Sequence, residues 1–350
     1  MIFPSIGLPG RFADWCDAVV TALVERALGR ADLISGNTLS EIGASALMGS
    51  GSHLVVASRQ PTEELRAALT EAQLPLLVTF DDPRACFYNL AVRHGLEWNA
   101  ATRATAGSCA TIACCAAMPG TLLLRADQHG PDPTGAATAI ARWFGLDLDD
   151  ADIAEVLAPI PSASALSAEG ELDEWWAGLD EAKRSVALGP MQGYNDYFRG
   201  DALGPLIWRR DLFFLGDDPY QPADRAIAIG GEVRNLVFGP YITLPPGGWA
   251  ATVALGISKA AVEMEYGIEV IAGPNCVRLG HATFQPQRHG LLESTLQFKI
   301  EASTDQPISL RVANLRPAAG GQLVLGHVVM QRQSHWQGEA LDELVTALDP

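Results

Sequence analysis

Lysine is scarce in this sequence, and the first 182 residues contain none. The chain of 350 residues has 24 lysines and arginines against 41 aspartates and glutamates, which gives a net charge of −17. Proteins that bind nucleic acids in general need a basic surface to displace counterions from phosphates. The shortage of cations therefore excludes a general nucleic-acid binder, and it argues equally against docking on anionic lipid head groups.

Long apolar runs are absent too. No stretch approaches the roughly 18 uninterrupted apolar residues of a transmembrane helix, so the sequence predicts no membrane span. Residues 1–5 place no basic region ahead of an apolar run, so we expect no secretory signal and a cytoplasmic location. Because 48% of the residues are hydrophobic and 19% are charged, the sequence predicts a globular chain, and its length fits two domains.

Metal-ligating residues do not occur at the usual spacings. The six cysteines form no Cys-x-x-Cys pair, and we expect them to be buried free thiols. His281 and His289 have no spaced carboxylate or thiol partner, so no zinc site is predicted. The acidic cluster at 147–152 is expected to open a helix, where carboxylates offset the helix dipole. A calcium site is the alternative to a solvated loop for three aspartates, Asp217, Asp218 and Asp224.

Short apolar runs alternate with helical stretches in the first half of the chain. The predicted strands are an opening strand and the runs at 53–57, 74–80 and 121–125, and the predicted helices cover 12–28, 62–72 and 135–144. Continuous apolar strands flanked by helices are typical of a parallel sheet covered on both faces. The sequence therefore predicts a three-layer α/β domain at residues 1–204, with a linker in the loop-like stretch 189–205.

Short strands follow one another in the second half. Seven are predicted, at 227–229, 241–244, 249–255, 267–271, 296–300, 308–312 and 323–329. Strands this short, separated by proline and glycine turns, are typical of an antiparallel β-sandwich of the jelly-roll type. We place this domain at residues 205–335 and expect a C-terminal helix or tail over 336–350.

Two motifs stand out in the first half. Asp82-Pro83-Arg84 follows the third strand, and Trp143-Phe144-Gly145-Leu146 ends a helix. Together with the order of strands and helices, they resemble the sulfotransferase family of P-loop-like α/β proteins over residues 1–157. This resemblance implies a site for the donor 3′-phosphoadenosine 5′-phosphosulfate, whose phosphates would be bound by residues of three loops: Gly7, Gly10, Arg11, Ser58, Arg59 and Arg84.

Several of the family's phosphate-binding positions are altered in this sequence. Ala57 stands at the family's lysine position, Asp81 stands at the leading arginine position, and no serine occurs at 88–90. Each lost charge-assisted phosphate contact costs about 1.5–3 kcal/mol. We therefore expect degenerate motifs, no bound cofactor and no sulfuryl transfer, and we assign no catalytic residue.

Two roles remain open for the three arginines near strand ends, Arg11, Arg59 and Arg84. Open α/β sheets bind ligands at the carboxyl ends of their strands, so these arginines could bind a different anion such as a sugar phosphate. Alternatively, they form structural ion pairs with nearby acids: Asp14, Asp81 and Asp82.

The most distinctive run of the sequence is Phe238-Gly239-Pro240-Tyr241-Ile242-Thr243-Leu244-Pro245-Pro246-Gly247-Gly248-Trp249. It resembles the entry of jelly-roll modules, similar to carbohydrate-binding modules, that are attached to bacterial surface-polysaccharide enzymes. The resemblance covers residues 212–331 and implies sugar binding by aromatic faces and planar polar side chains. The candidates are Tyr241, Trp249, Phe284 and Trp208, with Arg234, Asn235, Gln285, Arg288 and His289 as polar partners. Core packing is the alternative role for each aromatic residue.

The leading functional hypothesis from the sequence is a glycan-associated protein. In it, an inactive sulfotransferase-like domain serves as scaffold, and the sandwich contacts carbohydrate or a polysaccharide-assembly protein. One alternative is an active transferase that acts on a glycan and holds an anionic donor with its arginines. The other is a structural protein that forms a homo-oligomer through the sandwich face.

Overall fold

A parallel sheet occupies one part of the chain and a pair of antiparallel sheets another. The computed structural model describes residues 1–49, 52–161, 169–301 and 306–333. The chain divides into two units, Met1–Asp180 and Glu181–Pro350. The boundary predicted at residue 204 falls within the second of these units. This architecture confirms the predicted fold class, an α/β domain followed by an all-β sandwich.

The sheet of the first unit has five parallel strands. They are β1 (Ile2–Gly7), β2 (Ala31–Ser35), β3 (His53–Ser58), β4 (Leu76–Phe80) and β5 (Thr121–Arg125), in the order β2-β3-β1-β4-β5. The strand β2 was not predicted from the sequence. This strand lies at the sheet edge, where Leu33 is 47% exposed, so β2 lacks the continuous apolar run that marks the buried strands.

Nine α-helices and one π-helix (Asn89–Arg93) are described in the first unit. The α-helices are α1 (Arg11–Leu28), α2 (Leu39–Met48), α3 (Glu63–Glu71), α4 (Pro83–Tyr88), α5 (Trp98–Ala116), α6 (Ala126–His129), α7 (Pro133–Trp143), α8 (Asp150–Leu157) and α9 (Glu169–Gly178). Thr62 caps α3 by accepting a hydrogen bond from the backbone N–H of Leu65. Asp149 and Asp152 form a capping box at the start of α8, which accounts for part of the acidic cluster.

The connections between strands place the helices on two faces of the sheet. The chain runs from β1 through α1 to one end of the sheet, and from β2 onward it returns in the opposite direction through α2, α3 and α5. Because such crossovers are right-handed, α1 lies on one face and the other three lie on the opposite face. The helix that follows β1 therefore lies on the opposite face from the helices that follow its neighbours β3 and β4, and open α/β sheets bind ligands at such a switch point.

The core on the α1 face combines side chains of the sheet, α1 and α7. Trp15 and Leu23 of α1, Phe3 and Leu77 of the sheet, and Ile140 of α7 belong to one buried cluster. Trp15 and Leu23 recur at helical spacing in α1, so this helix packs one face on the sheet, whereas every residue of β4 is buried because helices cover both faces of the sheet. That packing fixes the strand ends from which the candidate loops emerge.

Two helices open the second unit, α10 (Glu181–Leu188) and α11 (Gly193–Tyr197). The sequence analysis predicted loop over 189–205, and α11 lies within it. Tyr194 is fully buried. A Cβ at Gly193 would lie 3.1 Å from the carbonyl oxygen of Gly204, so the glycine allows a close approach of two backbone segments. Glycine-rich composition here therefore reflects close packing rather than a flexible link.

Ten strands form two antiparallel sheets in the second unit. They are β6 (Leu206–Arg209), β7 (Phe214–Leu215), β8 (Ile227–Ala228), β9 (Arg234–Ile242), β10 (Gly247–Ile257), β11 (Tyr266–Ala272), β12 (Val277–Phe284), β13 (Gly290–Ile300), β14 (Ile308–Asn314) and β15 (Gln322–Arg332). One sheet has the order β13-β10-β15-β6, with β8 on β15, and the other has the order β12-β11-β14-β9-β7. The predicted antiparallel sandwich is confirmed.

The strand boundaries differ from the prediction at β9. The sequence predicted a strand over 241–244, whereas β9 ends at Ile242 and includes Gly239 and Pro240. These two residues are strand breakers by composition. The register with β14 shifts next to Pro240, and the N–H of Gly239 donates to Ser309 Oγ at 3.1 Å. A side chain of β14 thus supplies a hydrogen bond at the point where a regular strand would be interrupted.

No helix within the described ranges is long and apolar enough to cross a membrane. The C-terminal helix predicted near residues 339–348 lies outside the described residues.

Candidate functional site

The carboxyl ends of β3, β1 and β4 lie side by side in the parallel sheet. These strands end at Ser58, Gly7 and Phe80, so the three predicted phosphate loops lie at one edge, which we call the carboxyl edge. Arg11 is the first residue of α1, Arg59 directly follows β3, and Arg84 lies in the first turn of α4. The structure therefore brings the predicted anion-binding residues to neighbouring strand ends.

Arg59 forms ion pairs with two acids of α1. Its Nη2 donates to Asp14 Oδ1 at 2.7 Å and to Asp17 Oδ2 at 2.5 Å, and Ser5 Oγ donates to the other oxygen of Asp17 at 2.5 Å. Asp17 is buried, and burial raises the pKa of its carboxyl although Arg59 and Ser5 oppose that rise. Burial alone would lower the pKa of Arg59, but the two carboxylates raise it. Its guanidinium thus stays charged and satisfies a buried carboxylate.

Ser58 and the backbone that follows it bind an asparagine side chain. Ser58 Oγ donates to Asn37 Oδ1 at 2.9 Å, and the N–H groups of Arg59 and Gln60 donate to the same oxygen at 3.1 and 2.9 Å. A phosphate bound in this loop would need these three donors, but all three already donate to the Asn37 side chain.

Arg84 bonds to the residue that caps its own helix. Its Nε and Nη2 lie 2.8 and 2.7 Å from Asp82 Oδ2, while Asp82 Oδ1 accepts the backbone N–H of Arg84 at 2.9 Å. Asp173 of α9 lies 3.7 Å from Nη1. The hydrogen bonds to Asp82 raise the pKa of Arg84. Both Arg59 and Arg84 thus form ion pairs within the first unit, as the structural alternative from the sequence expected.

The loop from Gly7 to Arg11 is filled by neighbouring groups. A Cβ at Gly7 would lie 2.0 Å from Thr79 Oγ1, and one at Gly10 would lie 3.2 Å from Cys86 Sγ. The N–H of Gly10 donates to the carbonyl of Leu8 at 2.7 Å, and the N–H of Leu8 donates to that of Thr79 at 3.4 Å. The glycines serve close packing, and two of the loop's N–H groups point to protein carbonyls.

The sandwich candidates separate into those on β9 and those elsewhere. Arg234, Asn235 and Tyr241 share β9. Arg234 is held by Asp217, with 3.2 Å between Nε and Oδ1, and its Nη2 donates to the carbonyl of Ala228 at 2.7 Å. Asn235 is exposed, and Tyr241 is 40% exposed.

Tyr241 belongs to a group of three aromatic rings, Phe214, Phe238 and Tyr241, which we call the aromatic trio. The ring centroids of Phe214 and Phe238 are 5.6 Å apart, and that of Tyr241 lies 6.3 and 6.2 Å from them. Residues 238 and 241 of a regular strand would point to opposite faces. Positive φ angles at Gly239 (120°) and Tyr241 (64°) break the alternation and bring the rings together.

The other candidate aromatic residues lie away from the aromatic trio. Trp249 of β10 is fully buried in the other sheet, and its Nε1 donates to the carbonyl of Pro245 at 3.0 Å. Trp208 of β6 is also fully buried. Phe284 stacks on the buried Tyr266, with centroids 5.4 Å apart. These positions match the packing role that the sequence analysis kept as the alternative.

The remaining polar candidates lie in the turn between β12 and β13. Arg288 and His289 are exposed there, and Gln285 Nε2 donates to the carbonyl of Glu263 at 2.8 Å. This turn is on the opposite side of the sheet order from β7 and β9, because β12 and β7 are the two edge strands. The structure does not bring these three residues to the aromatic trio.

A row of side chains that was not predicted from the sequence crosses the second sheet. Directly paired residues on adjacent strands connect the members of this row, which we call the Arg311 row: His281, Glu269, Arg311, Phe238 and Phe214. Paired residues point to the same face of a sheet. The alternate positions Val270, Leu310 and Val312 are fully buried, so the Arg311 row lies on the outer face. Its members are exposed or half-buried.

Charged and aromatic groups adjoin one another along the Arg311 row. Arg278 lies 3.1 Å from Glu269, between Nη2 and Oε1, and Arg311 Nη2 lies 3.2 Å from Cys276 Sγ. Tyr241 extends the aromatic end of the row. Aromatic rings next to guanidinium groups and a carboxylate can bind a ligand that has a flat apolar face and polar groups around its edge.

No cluster of three histidine, cysteine or acidic side chains suited to a metal ion occurs in the described part of the chain. Of the three aspartates considered for calcium, Asp217 pairs with Arg234 and Asp218 Oδ1 accepts the N–H of Tyr220.

No protein-family model matches the sequence, and no curated protein matches it. Similar solved structures include the mouse sulfotransferase SULT7A1 complexed with PAP, at 13% identity over 57% of this chain and 88% of that chain, with a TM-score of 0.40. They also include a carbohydrate-binding module from Cellvibrio mixtus lichenase 5A in complex with cellotriose, at 10% identity over 30% and 73% of the two chains, with a TM-score of 0.21.

A Stig cyclase from Fischerella sp. TAU is also similar, at 15% identity over 29% of this chain and 58% of that chain, with a TM-score of 0.23. This chain thus spans little more than half of the length of that cyclase. A sulfotransferase and carbohydrate-binding modules are therefore among the structural neighbours, but likenesses at these TM-scores carry no weight in assigning a function.

Proposed function

We propose that this chain is a glycan-associated protein that binds saccharides on the outer face of its second sheet. The first unit, whose sequence resembles sulfotransferases, serves as a scaffold without sulfuryl transfer. Its partner is a glycan or a protein of polysaccharide assembly. The observation that carries the proposal is the aromatic trio beside the Arg311 row.

The aromatic trio supports saccharide binding because sugar rings have an apolar face. That face packs on aromatic rings, while planar side chains bind the hydroxyl groups around it. Phe238 directly opposes Arg311 in the strand register. Asn235, which is exposed, opposes Ala313 two residues further along β14, because the register shifts between Val312 and Ala313. Apolar and polar side chains are therefore available within one small area of the sheet.

Saccharide binding is tested by titrating the full chain with soluble polysaccharides, both neutral and acidic, in a calorimeter. Phe238→Ala and Tyr241→Ala should each weaken binding by about tenfold or more, since stacking on an aromatic ring contributes on the order of 1–2 kcal/mol. Tyr220→Ala is the matched control, because Tyr220 is 92% exposed outside the trio. Equal affinity of Phe238→Ala and the unaltered chain for every polysaccharide would refute the proposal.

The ion pairs at the carboxyl edge support a scaffold role for the first unit. Arg59, Arg84 and the N–H groups after β3 already have acceptors within the protein. A nucleotide phosphate would have to displace Asp17 or Asp82, and Asp81 adds a further negative charge beside it. These contacts favour the scaffold role over donor binding.

Donor binding is tested by thermal unfolding with 3′-phosphoadenosine 5′-phosphate at millimolar concentration. A ligand present at one hundred times its Kd would stabilise the fold by about 2.7 kcal/mol. We expect no change in Tm. A clear rise in Tm that Arg84→Ala abolishes would instead identify an active donor site.

One observation favours that second candidate, a transferase that uses an anionic donor. Within the described residues, Arg59 Nη1 and Thr79 Oγ1 are buried without a hydrogen-bond partner, and both belong to the carboxyl edge. Buried polar groups are usually satisfied. A donor that contacts these two atoms would satisfy them, and the thermal-unfolding experiment distinguishes the two functions.

A further inference from the structure

Arg311 lies at the centre of the outer face of the second sheet. Strand register places it directly between Glu269 of β11 and Phe238 of β9. The alternation of β14 fixes its orientation, because Leu310 and Val312 on either side are fully buried. Arg311 is thus displayed by a regular strand rather than by a loop, and its position relative to Phe238 is set by the sheet.

The guanidinium of Arg311 contacts a thiol and not a carboxylate. Its Nη2 lies 3.2 Å from Cys276 Sγ, and a thiol sulfur is a weak acceptor. Across the described residues, no carboxylate lies within ion-pair distance of Arg311. Other arginines of this unit differ, because Arg234, Arg278 and Arg316 lie 3.2, 3.1 and 2.8 Å from an acidic side chain.

Within the Arg311 row, all of whose residues the structure describes, this arrangement leaves one positive charge. Arg278 and Glu269 neutralise each other, so the charge of Arg311 is uncompensated within the row. The whole chain carries 41 acidic residues against 24 basic ones, so acids to pair with this arginine are plentiful in the composition. An unpaired arginine next to aromatic rings fits a ligand with one planar anionic group and one apolar face.

We propose that the outer face of the second sheet recognises an acidic saccharide, and that Arg311 binds the carboxylate of a uronic acid residue whose ring packs on Phe238. This inference rests on the proposed saccharide binding, and it specifies the class of saccharide that is bound. Directly opposed residues of neighbouring strands lie about 4.5–5.5 Å apart. One sugar ring and its attached carboxylate can therefore reach both side chains. A guanidinium presents two parallel N–H donors that match the two oxygens of a carboxylate.

The test compares two oligosaccharides of equal length by calorimetry, a galacturonic acid tetramer and the neutral cellotetraose. Arg311→Gln should weaken binding of the galacturonate by about tenfold or more and leave that of cellotetraose unchanged, because only the charged ligand loses a charge-assisted hydrogen bond. Arg311→Lys keeps the charge but lacks the two parallel N–H donors of a guanidinium, so it should give an intermediate loss of galacturonate affinity. Raising the salt from about 50 to about 500 mM should weaken galacturonate binding in the unaltered chain far more than in Arg311→Gln.

Arg316→Gln is the matched control, because Arg316 is an exposed arginine of the same unit that already pairs with Glu265. It should bind both tetramers like the unaltered chain. Unchanged galacturonate affinity in Arg311→Gln, or an equal loss for both tetramers, would overturn the inference. Tighter binding of a sulfated tetramer, lost in the same variant, would overturn the assignment to a carboxylate.

The failure of this inference can be told apart from failure of the proposed function. If Phe238→Ala abolishes saccharide binding while Arg311→Gln leaves selectivity unchanged, only the acidic ligand class is wrong. If the unaltered chain binds neither tetramer nor any polysaccharide, the proposed function fails and this inference fails with it. Thermal unfolding of each variant checks that the fold is intact.

Discussion

The two units use their arginines in opposite ways. In the first unit, Arg59 and Arg84 lie where open α/β sheets bind ligands, yet each forms an ion pair with acids of the same unit. In the second unit, Arg311 lies in the middle of an ordinary strand, and its guanidinium contacts only a thiol among the described residues. A cation in a loop that resembles a binding motif can therefore be structural, whereas one in a regular strand can be available to a ligand.

The largest expected effect comes from replacing Arg59, which tests whether this arginine is structural. Arg59→Met should lower the free energy of unfolding at neutral pH by about 3 kcal/mol, since it leaves the buried Asp17 carboxylate without its main counter-charge. Arg311→Met should change it by less than about 0.5 kcal/mol, as expected for a surface substitution without a carboxylate partner. Urea unfolding of the two variants measures both values. A larger loss for Arg311→Met would reverse the assignment of structural and available arginines.

The next effect tests whether neighbouring groups fill the loop from Gly7 to Arg11. An alanine Cβ at position 7 would lie 2.0 Å from Thr79 Oγ1 and 2.7 Å from Ala13 Cβ, so Gly7→Ala should lower the unfolding free energy by about 1–3 kcal/mol. Gly43→Ala is the control, because a Cβ there meets nothing within 4 Å and glycine disfavours helix α2. It should stabilise by up to about 1 kcal/mol. Equal stability of Gly7→Ala and the unaltered chain would mean that the loop is open.

A smaller effect concerns pH. Burial raises the pKa of Asp17 above its ordinary value of 3.8, although Arg59 and Ser5 oppose the rise. An acid whose pKa is raised on folding contributes stability below pH 3.8 and loses that contribution as the pH rises through its folded value. The unfolding free energy of the unaltered chain minus that of Asp17→Asn should therefore fall from about pH 3 to about pH 7. A difference that rises over this range would show that the ion pair with Arg59 outweighs burial.

The smallest effect compares the thiols of the two units. Cys16, Cys86, Cys109 and Cys115 of the first unit are buried, and burial raises the pKa of Cys115 to about 12. Cys276 of the second unit is exposed and Cys114 of the first unit is half-buried, and both correct the expectation that all six thiols are buried. With Ellman's reagent near pH 8, one thiol should react rapidly, and Cys276→Ser should remove that phase. Rapid reaction of several thiols in the folded protein would contradict the described burial.

The fold was predictable from sequence where burial is complete. Strands such as β4, in which every residue is buried, give continuous apolar runs, and the α8 capping box gives a clear helix start. The edge strand β2 and the largely exposed β12 give no such signal, because their stability depends on pairing with a neighbour. Prediction from periodicity therefore misses the strands that the sheet itself stabilises.

The candidate site was predictable only in part, because it depends on strand register. The sequence singled out Tyr241 through the motif on β9 and Asn235 as a polar partner, and both lie on or beside the outer face. It gave no sign that Arg311 and Glu269 stand opposite Phe238 and His281, respectively, since pairing between β11, β12, β14 and β9 joins residues far apart in the chain. The motif also drew attention to Trp249, whose hydrogen bond to Pro245 is made inside the core.

The backbone at Tyr241 has a consequence for redesign. A side chain in the left-handed conformation costs roughly 1–2 kcal/mol relative to glycine, so glycine at this position would relieve that strain. The same replacement would delete one ring of the aromatic trio. Relief of backbone strain and the proposed saccharide recognition therefore compete at a single residue.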